Sequence, residues 1–566
     1  MAYKNFDVAI FFTCFDLNLC KNNIDKFEED MNFFEKNISI DKVYLETYRA
    51  GMYFSIEDMT FFKSYFNKKG IKVSGAITTV AKGEGSWDFR SFCYSSESHR
   101  NELINVVRNT AQLFDEVILD DFFFTNCKCD LCISNKSTSG WSNFRTNQLG
   151  DFSKLLVSEA KSVNPTVKMI IKYPNWYDHH QSTGYSIKRQ VNIFDSVYTG
   201  TETRDPKTTQ QNLQRYIGYF IMRYIDSIAG ENNLGGWFDS FDCKYNLNSF
   251  VEQINLTAFA KAKEITLFCA GNLANHNRIF VPLAGFVFSE LDKVLPLLGK
   301  PVGIDCYKPF DSCGEDYIHG YLGMLGLPLQ PSAEYPVDSE LILLTRSAAF
   351  DKALIPKIKT SLSNGASVYI TSGLLEALEG SINTLAEIRY SCRKFSTNYF
   401  ATEMKDSAFL DYQYGSTSIS LPQIEFSTND SWQIAVAVGE NSSCPVLLQS
   451  KYSAGKLFVL TIPDKFEDLY NYPLNVLNIL RRNICSKLPV HIEGASNIGL
   501  FMYDNNTFIL ESFLRTNTTV TVAIHRENVH IRDLINNKTY SGFTKNGITY
   551  IDISLAPSTF TCLCII

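Results

Sequence analysis

Eight short apolar runs alternate with amphipathic stretches over the first half of the chain, and this alternation limits its possible folds more than any other feature. The runs are rich in β-branched and aromatic residues, and the stretches between them are long enough for helices. Strands joined by such helices pair in parallel through right-handed crossovers. The predicted strands span residues 6–13, 42–47, 72–78, 116–122, 167–172, 196–200, 234–238 and 264–269.

The number of these strands decides between two parallel architectures. Eight strands, each buried on both faces, is the count at which a parallel sheet closes into a barrel. The alternative is an open doubly wound sheet, which typically carries a Gly-rich phosphate loop after its first strand, and no such loop is visible here. We therefore predict a (β/α)₈ barrel over residues 1–300.

The remaining residues show two different sequence patterns. At 566 residues the chain is too long for one hydrophobic core. Residues 301–488 alternate strands and helices, which indicates a smaller αβα domain with a β-rich insertion from 400 to about 450. Residues 489–566 alternate apolar and polar residues between turn signals such as TKNG, which predicts an antiparallel, sandwich-like β-domain.

Charge and cysteine content exclude several functional classes. The net charge of −7 argues against a nucleic-acid partner, which requires a concentrated basic surface. No window is apolar enough for a membrane span, and the N-terminal apolar run is short and contains Asp7, unlike a secretory signal. The fifteen cysteines are scattered except for one cluster, which is typical of reduced thiols. We expect a cytoplasmic protein.

The cysteine cluster predicts a metal site. Cys127, Cys129 and Cys132 follow the fourth predicted strand, and their thiolates can converge on one tetrahedral Zn²⁺. Cys93, in the loop after the third strand, is the candidate fourth ligand because neighbouring strand ends are adjacent in a barrel. Four thiolates leave no open position for water, so the zinc would be structural. The alternative is a set of packed, reduced cysteines.

The motifs around this cluster resemble those of glycoside hydrolase family 42 β-galactosidases. The shared order is Phe92-Cys93-Tyr94-Ser95-Ser96, a helix, the segment LDDFFF, the Cys-x-Cys-x-x-Cys run and Phe144-Arg145. The resemblance implies a four-cysteine zinc site beside the fourth strand. It also implies a barrel followed by a glutamine-amidotransferase-like oligomerisation domain and a small β-domain, and hence a homo-oligomer, either a dimer or a trimer.

This chain departs from that family at the residues that carry the chemistry. Where the family has an Asn-Glu pair on strand four, with the Glu as acid/base, this chain has Asp120-Asp121. The nucleophilic Glu expected on strand seven is missing, with Asp239 nearby. β-Galactosidase activity therefore does not follow, and we expect a distant, separate family of barrel glycoside hydrolases.

Acidic and aromatic residues cluster where the predicted strands end, which is where barrel enzymes place their active sites. Glycoside hydrolysis usually needs two carboxylates at such a rim, and aromatic faces suit the C–H surfaces of sugars. The candidate catalytic residues are Asp120, Asp121, Glu202 and Asp239. The candidate substrate-binding residues are Glu46, Arg49, Trp87, Lys172, Tyr173, Trp176, Arg204, Trp237 and Asp242.

Two pairings of the acids are open. Asp121, which occupies the family's acid/base position, can pair with Glu202 on strand six, as in α-galactosidase-like barrels, or with Asp239 on strand seven. Strand alternation predicts that only one of Asp120 and Asp121 faces the barrel interior. Glu202 and Arg204 can also be a simple ion pair. Lys172, on an apolar strand, is expected to pair with a rim carboxylate and lower its pKa.

These features favour a glycoside hydrolase that releases a terminal sugar from an oligosaccharide or glycoconjugate. A sugar-binding barrel without catalytic activity is the main alternative, and a lyase or transglycosidase is another.

Overall fold

The computed structural model describes residues 2–83, 90–209, 211, 213–243, 246–403 and 410–566. The chain divides into two compact units, Met1–Pro296 and Leu297–Ile566. None of the described helices is long and apolar enough to span a membrane.

The first unit is a closed parallel barrel, as predicted. Each strand pairs in parallel with the next one along the chain, and the first strand pairs with both the second and the eighth. The strands are β1 (Asp7–Phe12), β2 (Lys42–Arg49), β3 (Lys72–Thr78), β4 (Glu116–Leu119), β5 (Lys168–Tyr173), β6 (Ser196–Gly200), β7 (Asn233–Asp239) and β8 (Glu264–Phe268).

Helices connect the strands in the order predicted from the apolar periodicity. In α2, for example, Phe27, Met31 and Phe34 recur at helical spacing and are buried, while the Asn23 side chain caps the first turn. The helices are α1 (Cys14–Asn22), α2 (Ile24–Asn37), α3 (Ile56–Lys68), α4 (Glu97–Leu113), α5 (Asp130–Lys136), α6 (Trp141–Val163), α7 (His180–Thr183), α8 (Ile187–Gln190), α9 (Ile217–Ala229), α10 (Leu247–Phe259), α11 (Ala270–Asn275) and α12 (Phe280–Val294).

The barrel interior is filled by side chains. Phe11, Tyr44, Tyr198 and Trp237 are the largest members of one buried cluster that crosses it. Near its N-terminal end, Glu264 accepts hydrogen bonds from the hydroxyls of Tyr44 (2.7 Å) and Tyr198 (3.1 Å). The interior is therefore a packed core, and barrels of this kind form their sites at the C-terminal ends of the strands.

The second unit contains a mixed nine-stranded sheet with helices against it. Its parallel strands are Ile304–Tyr307, Leu329–Ser332, Leu341–Leu344, Ser367–Thr371 and Gly455–Leu460, and its antiparallel strands are Ile388–Glu403, Leu410–Phe426, Ser431–Val438 and Ser443–Tyr452. The helices are α13 (Ile318–Met324), α14 (Leu354–Ser363), α15 (Ser372–Leu378) and α16 (Leu474–Ile484).

The β-rich insertion begins earlier than the predicted residue 400. Its first strand leaves most residues partly or fully exposed on both faces, so it lacks the apolar alternation of a half-buried strand.

The C-terminal residues form two antiparallel sheets, which confirms the predicted β-structure. Apolar side chains of both sheets pack into one cluster. One sheet contains Pro301–Val302, Ile498–Tyr503, Thr507–Ser512, Ile531–Asp533, Lys538–Tyr540 and Phe560–Ile565; the other contains Val490–Glu493, Thr518–Ile524, Phe543–Lys545 and Ile548–Leu555. The boundaries at 300 and 488 stay predictions.

The ion cluster at the N-terminal end of the barrel provides a test of this fold. Lys42 contacts both Glu116 (2.5 Å) and Glu264 (3.1 Å), and all three side chains are largely buried. Replacing Glu264 with Ala leaves a buried ammonium with one partner fewer and the Tyr44 hydroxyl without its acceptor, while the Tyr198 hydroxyl keeps its contact with Thr266. We expect a loss of about 3 kcal/mol in the free energy of unfolding, measured with urea.

The matched control is Asp7→Asn, which removes the exposed Asp7–Lys72 pair on the same barrel. Exposed pairs contribute little, so this change should cost less than about 1 kcal/mol. Equal losses in the two variants would contradict a buried, stabilising cluster.

Candidate active site

Lys172, on β5, is the centre of the candidate site. Its Nζ atom lies 2.8 Å from Asp121 Oδ2, 3.3 Å from Glu202 Oε1 and 3.5 Å from Asp120 Oδ1. The side chain is almost completely buried, and the ammonium also lies 4.1 Å above the centre of the Trp237 ring. One buried cation thus brings together acids from the ends of β4 and β6.

Asp120 and Asp121 both turn toward Lys172, so the expectation that they face opposite sides is wrong. The physical reason is that β4 ends at Leu119, and side-chain alternation no longer applies to the two residues that follow. Asp120 Oδ2 also lies 3.1 Å from Thr78 Oγ1 and 3.5 Å from Arg49 Nη2.

The two aspartates differ in their electrostatic environment. Burial and the neighbouring charge of Asp121 raise the pKa of Asp120. Burial also works to raise the pKa of Asp121, but the charge and hydrogen bond of Lys172 outweigh it and lower that pKa below its ordinary value. This confirms the predicted pairing of Lys172 with a rim carboxylate. Asp121 is therefore the aspartate that stays ionised most readily.

Glu46 and Arg49 form the corner of the site beside Asp120. Arg49 Nε donates to both carboxylate oxygens of Glu46, at 2.9 and 3.0 Å, and Glu46 is fully buried. The backbone N–H of Cys14 and the hydroxyl of Thr78 donate to the same carboxylate. Glu46 therefore orients Arg49 toward Asp120.

Glu202 is held in place by its own loop. The side chain of Gln253, on α10, accepts hydrogen bonds from the backbone N–H groups of Thr203 and Arg204, and Asn175 donates to the carbonyl of Glu202. A Cβ atom on Gly200 would lie 2.8 Å from Glu202 Oε2, so the glycine leaves space for the carboxyl group. Among the described residues, no donor reaches Oε2.

The environment of Glu202 favours its protonated form. Burial raises the pKa of this carboxyl group to about 8, and the charges of Asp121 and Asp239 add to the effect, while Lys172 and Arg204 oppose it. Glu202 and Asp121 therefore have pKa values shifted in opposite directions.

Asp239, at the end of β7, is engaged by one arginine. Arg204 donates through Nη2 (2.8 Å) and Nε (3.2 Å) to the Asp239 carboxylate, with its own backbone in the left-handed region at φ +58°. This pairing takes Arg204 away from Glu202 and neutralises Asp239. Asp242 lies further out and is exposed.

Half-exposed aromatic rings surround part of this rim. Trp176 packs edge-on against Phe124 at 6.1 Å, and Phe122 lies next to Phe124 at 6.0 Å. The indole N–H of Trp176 is buried and has no partner among the described residues. Tyr173 and Trp237 are buried beneath the rim and Trp237 belongs to the interior cluster, whereas the predicted Trp87 lies outside the described residues.

Sequence reasoning missed several supporting residues. Thr78 and Asn175 are polar residues at or just after strand ends, so a search for hydroxyl and amide groups at those positions could have found them. Gln253 lies on a helix 50 residues away from Thr203, and nothing local in the sequence connects the two.

The four predicted cysteine ligands lie together. The sulfur atoms of Cys93, Cys127, Cys129 and Cys132 are all within 4.8 Å of one another and could hold a metal ion. Cys93 Sγ lies 3.6 Å from Cys129 Sγ and 3.5 Å from Cys132 Sγ. Nearby, Arg145 donates to the carbonyls of Ser182 (2.6 Å) and Asn126 (3.2 Å), which connects the loops after β4 and β5.

Three family models match successive parts of the chain. The model described as "Probable glycosyl hydrolase, catalytic domain" matches residues 1–293, and "Probable glycosyl hydrolase, C-terminal domain" matches residues 489–561. Between them, residues 299–465 match "Uncharacterized protein SSO3021, second domain". The uncharacterized protein SSO3021 of Saccharolobus solfataricus is 26% identical in an alignment 526 residues long that covers 84% of this chain and 86% of that protein.

Solved β-galactosidases share the fold along the whole chain. The enzyme from Bacillus circulans sp. alkalophilus has a TM-score of 0.66 at 11% identity, and Gan42B, a GH42 β-galactosidase from G. stearothermophilus, has 0.66 at 10%. In both comparisons 99% of each chain is covered. The resemblance to this family is thereby confirmed at the level of fold. Because the model of the probable glycosyl hydrolase catalytic domain matches residues 1–293, more than half of the sequence, the chain belongs to the family of probable glycosyl hydrolases that this model describes.

Proposed function

We propose that the protein is a retaining glycoside hydrolase that releases a terminal sugar, with Asp121 as the nucleophile and Glu202 as the acid and base. The observation that carries this proposal is the pair of buried carboxylates beside Lys172, whose pKa values are shifted in opposite directions. Pairs of this kind identify the acid and base assignments in many enzymes. The resemblance alone implied the acid/base role at Asp121, whereas the electrostatics favour Glu202.

The separation of the two carboxylates supports retention of the anomeric configuration. Because Lys172 Nζ lies 2.8 Å from Asp121 Oδ2 and 3.3 Å from Glu202 Oε1, these oxygens are no more than about 6 Å apart. Retaining enzymes place their carboxyl groups about 5–5.5 Å apart, and inverting enzymes about 6.5–9.5 Å apart.

Each residue then has a defined step. Glu202, protonated at neutral pH, donates its proton to the glycosidic oxygen while the Asp121 carboxylate attacks the anomeric carbon and forms a covalent ester. Glu202, now ionised, takes a proton from the water that displaces Asp121 and restores both groups. Lys172 keeps Asp121 ionised before the attack and after the ester is hydrolysed, and it keeps the carboxylate aligned.

Two observations favour this pair and a terminal sugar. Asp239, the alternative partner of Asp121, is already neutralised by the two-point contact with Arg204. Asp121 and Glu202 are only 8% and 5% exposed, which suits a closed-ended pocket for a chain end more than an open groove. Arg49 and Arg204, with their carboxylate partners, would bind sugar hydroxyls, together with Trp176 and Asn175.

The cytoplasmic location and the homo-oligomeric state stay predictions from the sequence.

The cysteine cluster fits a structural zinc ion. Four thiolates about 2.3 Å from a tetrahedral Zn²⁺ lie about 3.8 Å apart, close to the observed spacing around Cys93. Lys128, Lys136 and Arg145 gather around the ring of Trp141 beside the cluster, which places positive charge near four thiolates. With no ligand position left for water, the ion would brace the loops after β3 and β4 and take no part in hydrolysis.

Asp121→Asn and Glu202→Gln should each lower kcat about 100- to 10,000-fold on those 4-nitrophenyl glycosides that the native protein hydrolyses. Asp151→Asn, which removes an exposed barrel carboxylate, is the matched control and should keep the native rate. Native rates in both site variants would refute the assignment. A native protein that binds sugars and hydrolyses none of the panel would favour the sugar-binding alternative.

Azide rescue separates the two roles. With Asp121→Gly, azide should occupy the nucleophile's space and give a glycosyl azide of inverted configuration, detected by NMR. With Glu202→Gly, it should attack the covalent intermediate and give the retained configuration. The reverse pattern would exchange the roles, and a native reaction whose first product is inverted would rule out the retaining mechanism.

The protonation of Glu202 predicts a pH-dependent stability difference. Its pKa is about 8 in the folded protein and about 4.3 in the unfolded chain, so between these values only the folded state keeps the proton. The contribution of Glu202 to the free energy of unfolding should therefore fall as pH rises, by up to about 1.4 kcal/mol per pH unit. Urea unfolding from pH 5 to pH 8 measures this contribution as the difference in the free energy of unfolding between the native protein and the Glu202→Gln variant. A flat difference for Glu202→Gln would contradict the raised pKa.

Metal analysis of the purified protein should give about one equivalent of zinc. Cys93→Ser should lose most of this metal and lower the midpoint of thermal unfolding, because the loops after β3 and β4 lose their common anchor. Cys392→Ser, an exposed cysteine outside the cluster, should change neither quantity. A metal-free protein with an unchanged unfolding midpoint would exclude structural zinc.

A further inference from the structure

A long hairpin forms one edge of the nine-stranded sheet in the second unit. Its strands, Ile388–Glu403 and Leu410–Phe426, pair antiparallel with Tyr399 opposite Tyr414 and Ala401 opposite Tyr412. In the part of the chain that the structure describes, Leu410–Phe426 pairs with no strand besides Ile388–Glu403. The hairpin therefore presents side chains to solvent at the end of the sheet.

Three tyrosines on one face of this hairpin stack on each other. The ring centres of Tyr399 and Tyr414 are 4.3 Å apart with planes 24° from parallel, and those of Tyr399 and Tyr412 are 5.5 Å apart at 26°. Tyr414 is 72% exposed and Tyr412 is 48% exposed. We call these three residues the tyrosine surface.

The area of the tyrosine surface is small for a contact between protein copies. Aromatic side chains bury about 150–250 Å² each, so three rings exposed to this degree offer roughly 300 Å². A standard protein interface needs about 800 Å² from each partner. An area of this size instead matches the face of two or three linked sugar rings.

The charge around the tyrosine surface disfavours nucleic acid, the other polymer that stacks on aromatic rings. Binding of single strands needs a positively charged track beside the aromatic platform. Two cations of this hairpin are paired with acids, Arg393 with Glu425 and Lys394 with Asp464 (2.6 Å), and Arg389 lies opposite Glu425, ten residues from Tyr399 along the strand. The acidic Glu403 and Asp411 lie within two residues of Ala401 and Tyr412 along the two strands.

We propose that Tyr399, Tyr412 and Tyr414 form a glycan-binding surface on the second unit. Because Tyr399 is stacked on both other rings, the C–H groups of a sugar chain would pack against the exposed surfaces of Tyr412 and Tyr414, and the phenol hydroxyls would hydrogen-bond to sugar hydroxyls. The ligand class is a neutral oligosaccharide or polysaccharide chain. This surface binds without catalysis, so the proposal goes beyond the hydrolysis assigned to the barrel and does not depend on it.

The test is affinity electrophoresis of the full-length protein in native gels that contain one soluble polysaccharide each: galactan, xylan, mannan or β-glucan. The Asp121→Asn protein is used as the parent, so that hydrolysis cannot remove the polysaccharide. We expect at least one polysaccharide to retard it. Adding Tyr412→Ala and Tyr414→Ala should weaken the apparent affinity at least tenfold, whereas Tyr412→Phe and Tyr414→Phe, which keep the rings, should retain most of it.

Two controls make the result specific. Phe543→Ala removes an aromatic ring that is 64% exposed on a C-terminal sheet and should leave the retardation unchanged. In a background with native Asp121, the double alanine variant should hydrolyse 4-nitrophenyl glycosides at the native rate if the barrel is catalytic. Polysaccharide binding is measured in the Asp121→Asn protein, whereas hydrolysis is measured in proteins with native Asp121. A failure of the proposed hydrolysis can therefore be distinguished from a failure of the proposed binding.

Three results would overturn the proposal. One is any sign that the tyrosine surface does not bind polysaccharide: either no polysaccharide retards the parent protein, or the double alanine variant is retarded as strongly as the parent. Another is a lower molar mass of the double alanine variant in light scattering, which would make the tyrosine surface a subunit contact. The third is retardation by a single-stranded oligonucleotide that the double alanine variant loses.

Discussion

The candidate site depends on one buried ammonium group. Lys172 has three carboxylates within 3.5 Å, and none of the four side chains is more than about a tenth exposed. Transferring an unpaired charge to such an environment costs several kcal/mol, so the lysine and the acids stabilise one another. Lys172 carries one positive charge, and Arg49, the cation beside Asp120, is already paired with Glu46, so the three carboxylates cannot all be ionised without a large repulsion. At least one of the three carboxyl groups must therefore keep a proton. Glu202 holds this proton most favourably, while Asp121, which has the shortest contact to Lys172, stays ionised. In the proposed mechanism, a single ion cluster thus supplies both the acid and the nucleophile.

The barrel interior explains why the Lys172 ammonium pairs with the acids at the rim. Below the ammonium lies the face of Trp237, and below that the packed rings of Phe11, Tyr44 and Tyr198. The next acid in that direction is Glu264, which is already bound to Lys42 and two tyrosine hydroxyls at the N-terminal end. The apolar layer between the two ion clusters keeps them separate. The rim acids are therefore the partners within reach of Lys172, and the cation–π contact with Trp237 fixes its height in the barrel.

The fold and the metal cluster could be predicted because their signals are local. Apolar periodicity identifies strands and helices one segment at a time, and three cysteines within six residues need only a nearby loop to supply Cys93. The pairing of Lys172 with a rim acid was also predictable, since a lysine on a buried strand needs a partner. The orientation of Asp120 and Asp121 was not, because it depends on β4 ending at Leu119 rather than at the predicted Phe122. The contact of Gln253 with the Glu202 loop joins distant segments, and only the folded barrel brings them together.

The relation to the β-galactosidases shows which features belong to the fold and which belong to the site. At 10–11% identity the whole architecture is shared, yet the strand-seven position that resemblance assigns to a nucleophile carries Asp239 bound to Arg204. A carboxylate with two charge-assisted hydrogen bonds from one guanidinium is stabilised as an anion but is poorly available to attack a substrate. The acid on strand six instead has an oxygen without a donor, beside a glycine that leaves it space. Because every strand of a barrel ends at the same rim, the proposed use of an acid on strand six in place of one on strand seven requires no change of fold.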